Sequence, residues 1–140
     1  MRSLLALVVL VIALLAGCIA GDASPKRGKL SGKVTLDGKP VANGQLRLFA
    51  LEATGTNIAT NITSGQYDLP EGQGPSKGKY RVEFSVPSAT KTRLPNPDIP
   101  GQWLEEAAET LPARYNRDSN IVLDYDPGKS QTYDTALLSK

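Results

Sequence analysis

Seven short stretches in which apolar and polar residues alternate, separated by glycine, proline and aspartate turns, set the fold class of this 140-residue chain. Lys29 to Leu36 puts Leu30, Gly32, Val34 and Leu36 on one face and Lys29, Ser31, Lys33 and Thr35 on the other. That two-residue period is the mark of a half-buried strand. Asp37-Gly38 is a tight-turn signal, and Pro40 delays the next strand, Gln45 to Leu51, in which Leu46, Leu48 and Ala50 share a face. Ile58 to Ile62 and Gln66 to Leu69 read as two short strands broken at Thr63-Ser64-Gly65. After a polar stretch, Tyr80, Val82, Phe84 and Val86 alternate with Arg81, Glu83 and Ser85 in the clearest strand of all. Ile121, Leu123 and Tyr125 form a sixth apolar face, and Tyr133, Thr135 and Leu137 a seventh, with Asp126-Pro127-Gly128 between them. Seven such strands predict an all-β chain folded as an antiparallel β-sandwich.

One segment breaks the rhythm. Pro87 to Ser119 is too long for a passive hairpin loop, and segments of that length tend to be functional or disordered. Its Leu94-Pro95-Asn96-Pro97-Asp98-Ile99-Pro100 run is incompatible with a helix. Gln102 to Thr110 is then expected to form a short helix, with Trp103, Ala107 and Leu111 at helical spacing and Glu105, Glu106 and Glu109 facing out. Two readings of Trp103 stay open. It caps an open end of the sandwich and is buried, which is the simpler account, or it belongs to an exposed binding surface for a sugar or peptide. Pro112-Ala113-Arg114-Tyr115-Asn116 likewise reads either as a structural corner, Tyr115 tucked against the sandwich edge, or as an Arg-Tyr pair that holds an anionic ligand. Trp103, Arg114 and Tyr115 are thus the candidate ligand contacts.

At the other end of the chain, Met1-Arg2-Ser3 is followed by twelve residues, Leu4 to Leu15, drawn only from Leu, Ala, Val and Ile, then by Ala16-Gly17-Cys18. A permanent span needs about 20 apolar residues, and this run reaches only seventeen even when extended through Ala20. A secretory signal has these three parts in this order. Leu15-Ala16-Gly17-Cys18 resembles the bacterial lipoprotein signal, in which the cysteine becomes the lipidated first residue of the mature protein. The resemblance implies removal of residues 1–17, a diacylglyceryl thioether on Cys18, and a tether over 18–28. Ile19, where an Asp would signal inner-membrane retention, points to the outer membrane of a bacterial envelope.

Removing residues 1–17 takes Arg2 from 16 basic residues and leaves 15 against 14 acidic ones in the mature chain, which is long enough for a single domain, over 29–140. That balance argues against nucleic acid as a partner. Lys26, Arg27, Lys29 and Lys33 cluster just after the anchor and read as solvated linker charge, with contact to anionic lipid headgroups as the alternative. Cys18 is the only cysteine, so an intrachain disulfide is impossible, and the chain has no histidine.

Ser31-Gly32-Lys33-Val34-Thr35-Leu36-Asp37-Gly38-Lys39-Pro40-Val41 resembles the opening of transthyretin-like, carboxypeptidase regulatory-like domains. Gly78-Lys79-Tyr80-Arg81-Val82 is similar to their later Gly-x-Tyr-x-Val strand. Leu111-Pro112-Ala113-Arg114-Tyr115-Asn116 is similar to the Pro-x-Lys/Arg-Tyr segment of small lipoproteins built on this domain. Asn61-Ile62-Thr63-Ser64-Gly65-Gln66-Tyr67 keeps the family's Gly and Tyr but lacks its turn Asp. The resemblance implies a seven-stranded prealbumin-like sandwich, with one long loop and its short helix, used for adhesion, scaffolding or ligand presentation. The Lys–Asn isopeptide bond of some related domains is not expected. Lys33 and Glu83 lie opposite the apolar faces, and the last strand offers Asp134 and no Asn.

Without histidine a Ser-His-Asp site cannot be built, and neither a catalytic residue nor a cofactor is expected. Asp118, Asp124, Asp126 and Asp134 lie near the closing strands, but Asp124 and Asp126 fit a solvated strand face better than a calcium site. The expectation is therefore a lipid-anchored envelope protein that serves as a structural or protein-interaction module, with a polysaccharide or envelope protein as partner. The alternative is a carbohydrate- or small-solute-binding lipoprotein that uses the 88–119 loop.

Overall fold

The computed structural model describes residues 24–129 and 131–140. The apolar run and Cys18 lie outside the described residues. In chain order the strands are β1 (Leu30–Leu36), β2 (Lys39–Pro40), β3 (Asn43–Ala50), β4 (Ile58–Thr63), β5 (Gln66–Leu69), β6 (Gly78–Ser85), β7 (Pro87–Pro95), β8 (Trp103–Glu109), β9 (Val122–Tyr125), β10 (Gln131–Thr132) and β11 (Thr135–Leu137). Asp37-Gly38 and Ser64-Gly65 both hold positive φ at each residue. That conformation matches the right-handed twist of the strands they join, so β1–β2 and β4–β5 close as two-residue hairpins.

Hydrogen-bonded neighbours run β10-β1-β5-β4-β3-β6-β9, and β2 and β11 also pair with β1. The two ends of this path meet. The Gln131 side chain on β10 accepts the Asp126 N–H (3.2 Å) and donates to the Asp124 carbonyl on β9 (3.4 Å). Beside it the Tyr125 hydroxyl donates to the Lys29 carbonyl at 2.7 Å. The sheet therefore curls and encloses one core. Leu30, Val34, Leu46, Leu48, Ile62, Tyr80, Val82, Phe84, Tyr125 and Leu137 are fully buried in it. These are the faces that the alternation marks.

Pairing departs from the antiparallel expectation at one place. β10 and β11 run parallel to β1, because the Asp126-Pro127-Gly128 turn sends the chain across to β1 and not back along β9. Tyr133 and Asp134 interrupt the parallel ladder there. Tyr133 N–H donates to the Ser31 carbonyl, the Asp134 carboxylate accepts the Lys33 N–H at 2.7 Å, and the Tyr67 hydroxyl donates to the Tyr133 carbonyl at 2.7 Å. Burial, with Tyr133 and Asp134 adding to it, pushes the Tyr67 hydroxyl far above the usual tyrosine range, so it stays a donor. Gly32 lies beneath this crossing, and a Cβ there would collide with the Tyr133 carbonyl.

Two expectations are corrected in the 87–119 segment. Trp103–Glu109 is a strand and not a helix, since it pairs antiparallel with β7 from Pro95↔Trp103 to Pro87↔Glu109. Cross-strand pairing with Lys91 to Pro95 supplies backbone partners that outweigh the helix preference of Glu-Glu-Ala-Ala-Glu. Trp103 does not cap the core either: it is 57% exposed. The Lys91–Glu105 ion pair at 3.6 Å lies on the stem of the same hairpin.

Gly32→Ala should cost about 1–3 kcal/mol by forcing the Tyr133 crossing outward. Its signature should be local: amide exchange accelerates first at 131–137, which chemical-denaturant melts combined with hydrogen exchange would read.

Candidate functional site

The chain leaves the curled sheet at Val86, runs out and back as the β7–β8 hairpin, and returns at Glu109. A carboxylate clamps that root. Glu109 Oε1 accepts the backbone N–H groups of Val86 (2.9 Å) and Leu111 (3.0 Å), and Oε2 accepts the Ser85 hydroxyl at 2.6 Å. Partial burial raises the Glu109 pKa, but the Ser85 hydroxyl and the Leu111, Val86 and Thr110 amides outweigh it and hold the group below the usual glutamate range. The outward-facing glutamate expected on a helix is here a structural anion.

Beyond the clamp, residues 110–121 form a strap over the outer face of β6. Leu111 is buried at one end. A single 3-10 turn, Ala113–Tyr115, follows. At the other end the buried Ser119 hydroxyl donates to the Val82 carbonyl at 2.5 Å and accepts the Ile121 N–H at 3.3 Å. The strap explains why Glu83 is only 9% exposed although it points away from the core. Glu83 is neutralised by Arg81 at 2.8 Å, and the Arg81 guanidinium also lies over the Phe49 ring.

Between strap and sheet lies an open groove of 460 Å³, with Arg47, Glu83, Ser85, Glu109, Asn116 and Arg117 around it. Its two carboxylates are already bonded. Its two arginines are less committed, because Arg47 donates to the Gln45 side chain at 2.6 Å and Arg117 faces the exposed Asp118 at 3.6 Å. The groove is suited to holding a polar or anionic solute, while Leu111 and Ala113 supply its apolar contact.

The candidate contacts named from the sequence are not gathered into one site. The Arg114 guanidinium stacks over the Tyr115 ring at 4.9 Å and donates to the Lys140 carbonyl at 2.6 Å. Tyr115 is half-buried against the core, so this pair forms a corner of the strap. Trp103 lies six residues out along β8 from the clamp, roughly 20 Å at strand rise. Arg47, Glu83, Ser85 and Glu109 were not singled out in advance as a groove. Their one sequence signal is opposite charge at matching positions on the polar faces of β3 and β6, where Arg47 and Glu83 stand in register. Among the described residues no three His, Cys, Asp or Glu side chains come together as a metal site.

Glu109→Ala should destabilise the fold by roughly 1–3 kcal/mol, since it strands two backbone donors at the hairpin root. The contribution of Glu109 is complete above the ordinary glutamate pKa and is lost as pH falls through its lower folded value. In acid melts between about pH 5 and pH 3, Glu109→Gln should therefore lose stability less steeply than the unmodified chain.

No family model and no curated protein matches this chain. Among solved structures it is similar to a 9R-lipoxygenase from Cyanothece PCC8801 over 81% of its own length and 16% of that chain, with 13% identity and a TM-score of 0.36. A likeness that slight informs neither fold nor function.

Proposed function

We propose that this chain is a lipoprotein of a bacterial cell envelope, held to a membrane by acyl chains on Cys18, whose mature domain is a prealbumin-like sandwich that works by contact and not by catalysis. The observation that carries this reading is Leu15-Ala16-Gly17-Cys18, which closes a twelve-residue apolar run with the only cysteine of the chain. Two acyl chains anchor stably where one does not. The outer membrane follows from Ile19.

The folded body supports the reading from the other side. Arg27 donates to the Gly74 and Gln73 carbonyls, and Gly28 N–H to the Pro75 carbonyl. The chain is thus fixed to the domain within ten residues of Cys18. The prealbumin-like assignment draws on the seven strands β1, β3, β4, β5, β6, β9 and β11, which supply the strand-borne core. A contact role draws on the β7–β8 hairpin, which adds nothing to that core and presents large apolar side chains to solvent. A second reading, capture of a small anionic or saccharide solute, is favoured by the arginine-flanked groove under the 110–121 strap.

Expression in a bacterium fed an alkyne-bearing fatty acid should label the unmodified chain, and the label should be absent from Cys18→Ser. Cys18→Ser should accumulate as an unprocessed precursor or leave the detergent phase. Equal labelling of both proteins would refute lipidation at Cys18.

A further inference from the structure

We propose that the tip of the β7–β8 hairpin is a membrane-docking element that inserts into the phospholipid interface of the bilayer to which the chain is anchored. The inference rests in part on the lipoprotein reading, which makes a bilayer the apolar phase nearest to the domain.

The first ground is that the tip is apolar on both of its faces. Leu94 and Leu104 stand opposite one another in the β7–β8 ladder, and Pro95 and Trp103 are the next pair out. Side chains of successive pairs point to opposite faces of a strand pair. The leucines therefore occupy one face, and the tryptophan with its proline the other. Ile99 adds a fourth large side chain in the connecting turn, and Leu94, Ile99, Trp103 and Leu104 are between 42% and 57% exposed. A surface that docks on a flat protein patch needs one apolar face. This end carries large apolar side chains on both faces, and the one charge in its turn, Asp98, has its N–H bonded to the Asn96 side chain, an arrangement that suits insertion to the depth of the headgroups.

The second ground is charge. Immediately inboard of the tip, β7 carries Lys91 and Arg93, and β8 carries Glu105 and Glu106. Arg93 pairs directly with Glu105, and Thr92 with Glu106. Cations on one strand and anions on the other form a collar with both signs at one depth. Zwitterionic phospholipid headgroups offer the same arrangement of phosphate and ammonium. On its own face Trp103 is the next side chain out from the Arg93–Glu105 pair, so it enters the headgroup region, in which tryptophan concentrates in membrane proteins.

The third ground is reach. The tether joins the body beside Ser76 and Tyr125, where β6 begins, and the hairpin leaves from Val86, where β6 ends. The two attachments are separated by the eight residues of β6, roughly 26 Å. Ten residues of chain link Cys18 to Gly28, and covalent geometry lets them span up to about 35 Å. The tip lies a further eight residues beyond Val86 along β7, roughly 26 Å, and the length of the tether lets the domain lie along the surface so that anchor and tip can meet the same bilayer.

Trp103 is the only tryptophan of the chain, so its emission reports the tip alone. The mature lipidated chain is reconstituted on phosphatidylcholine vesicles, with or without bromine on the acyl chains. Insertion predicts a blue-shifted emission, loss of intensity on the brominated vesicles, and protection from aqueous iodide. Leu94→Asp with Leu104→Asp should keep the chain on the vesicles yet return Trp103 to water, with iodide quenching restored and bromolipid quenching lost. The proposal is overturned if Trp103 of the unmodified chain stays open to iodide and blind to bromine while the chain floats with the vesicles. It is equally overturned if the double variant behaves like the unmodified chain. A blue shift that appears without lipid and grows with protein concentration would assign the tip to a second copy and overturn it as well. Flotation reads the anchor and Trp103 reads the tip. Failure of the anchor and failure of insertion are therefore told apart.

Discussion

The crossing of Tyr133 over Gly32, fastened by the Tyr67 hydroxyl at 2.7 Å, is the contact on which the closed shape depends. β1 pairs with β2, β5, β10 and β11, so both the early hairpins and the returning end of the chain converge on it. A curled sheet buries its inner side chains only when its free edges are brought together. Here the edges are joined by short polar bonds, those of Gln131 and Tyr125 on one side and of Asp134 and Tyr67 on the other. Each such bond adds on the order of 1 kcal/mol. Their larger effect is to hold β11 where Leu137 reaches the core, since burying one such side chain contributes about 1.5–3 kcal/mol.

A second clamp divides the chain into unequal parts. Glu109 gathers three donors at the hairpin root, and from that point the strap is committed to the outer face of β6 through Leu111 and Ser119. The strap withdraws Glu83 from water, and Arg81 compensates the buried charge directly. A carboxylate removed from solvent without such a partner would be costly. The groove between strap and sheet arises where the strap covers β6, and its charged rim comes from Glu83 and Arg47, each bonded to a neighbour along its own strand, from the clamp carboxylate Glu109 and from exposed Arg117.

Much of the body was legible in advance because half-burial writes a period of two into the sequence. Leu46 with Leu48, and Tyr80 with Val82 and Phe84, sit where that period puts them. The parallel return onto β1 was not legible, because nothing in Tyr133 to Leu137 states which edge the strand will join. The hairpin was misread for a definite reason. Trp103, Leu104, Ala107, Ala108 and Leu111 satisfy a helical stripe, and glutamate and alanine favour helices. The competing signal lay earlier, in Thr90-Lys91-Thr92-Arg93-Leu94, a run suited to a strand with a proline-rich turn and Gly101 at positive φ behind it. The candidate contacts fared likewise. Arg114 and Tyr115 are local and stayed together, whereas the distance from them to Trp103 follows from a pairing that no spacing rule reveals.

The hairpin shares no core side chain with the body and is attached to it through one clamped root. Its composition can therefore drift over generations with little penalty to the folding of the domain behind it. A scaffold built this way separates two kinds of selection: the curled sheet answers for cohesion, and the outlying pair of strands is free to be retuned to whatever surface it meets.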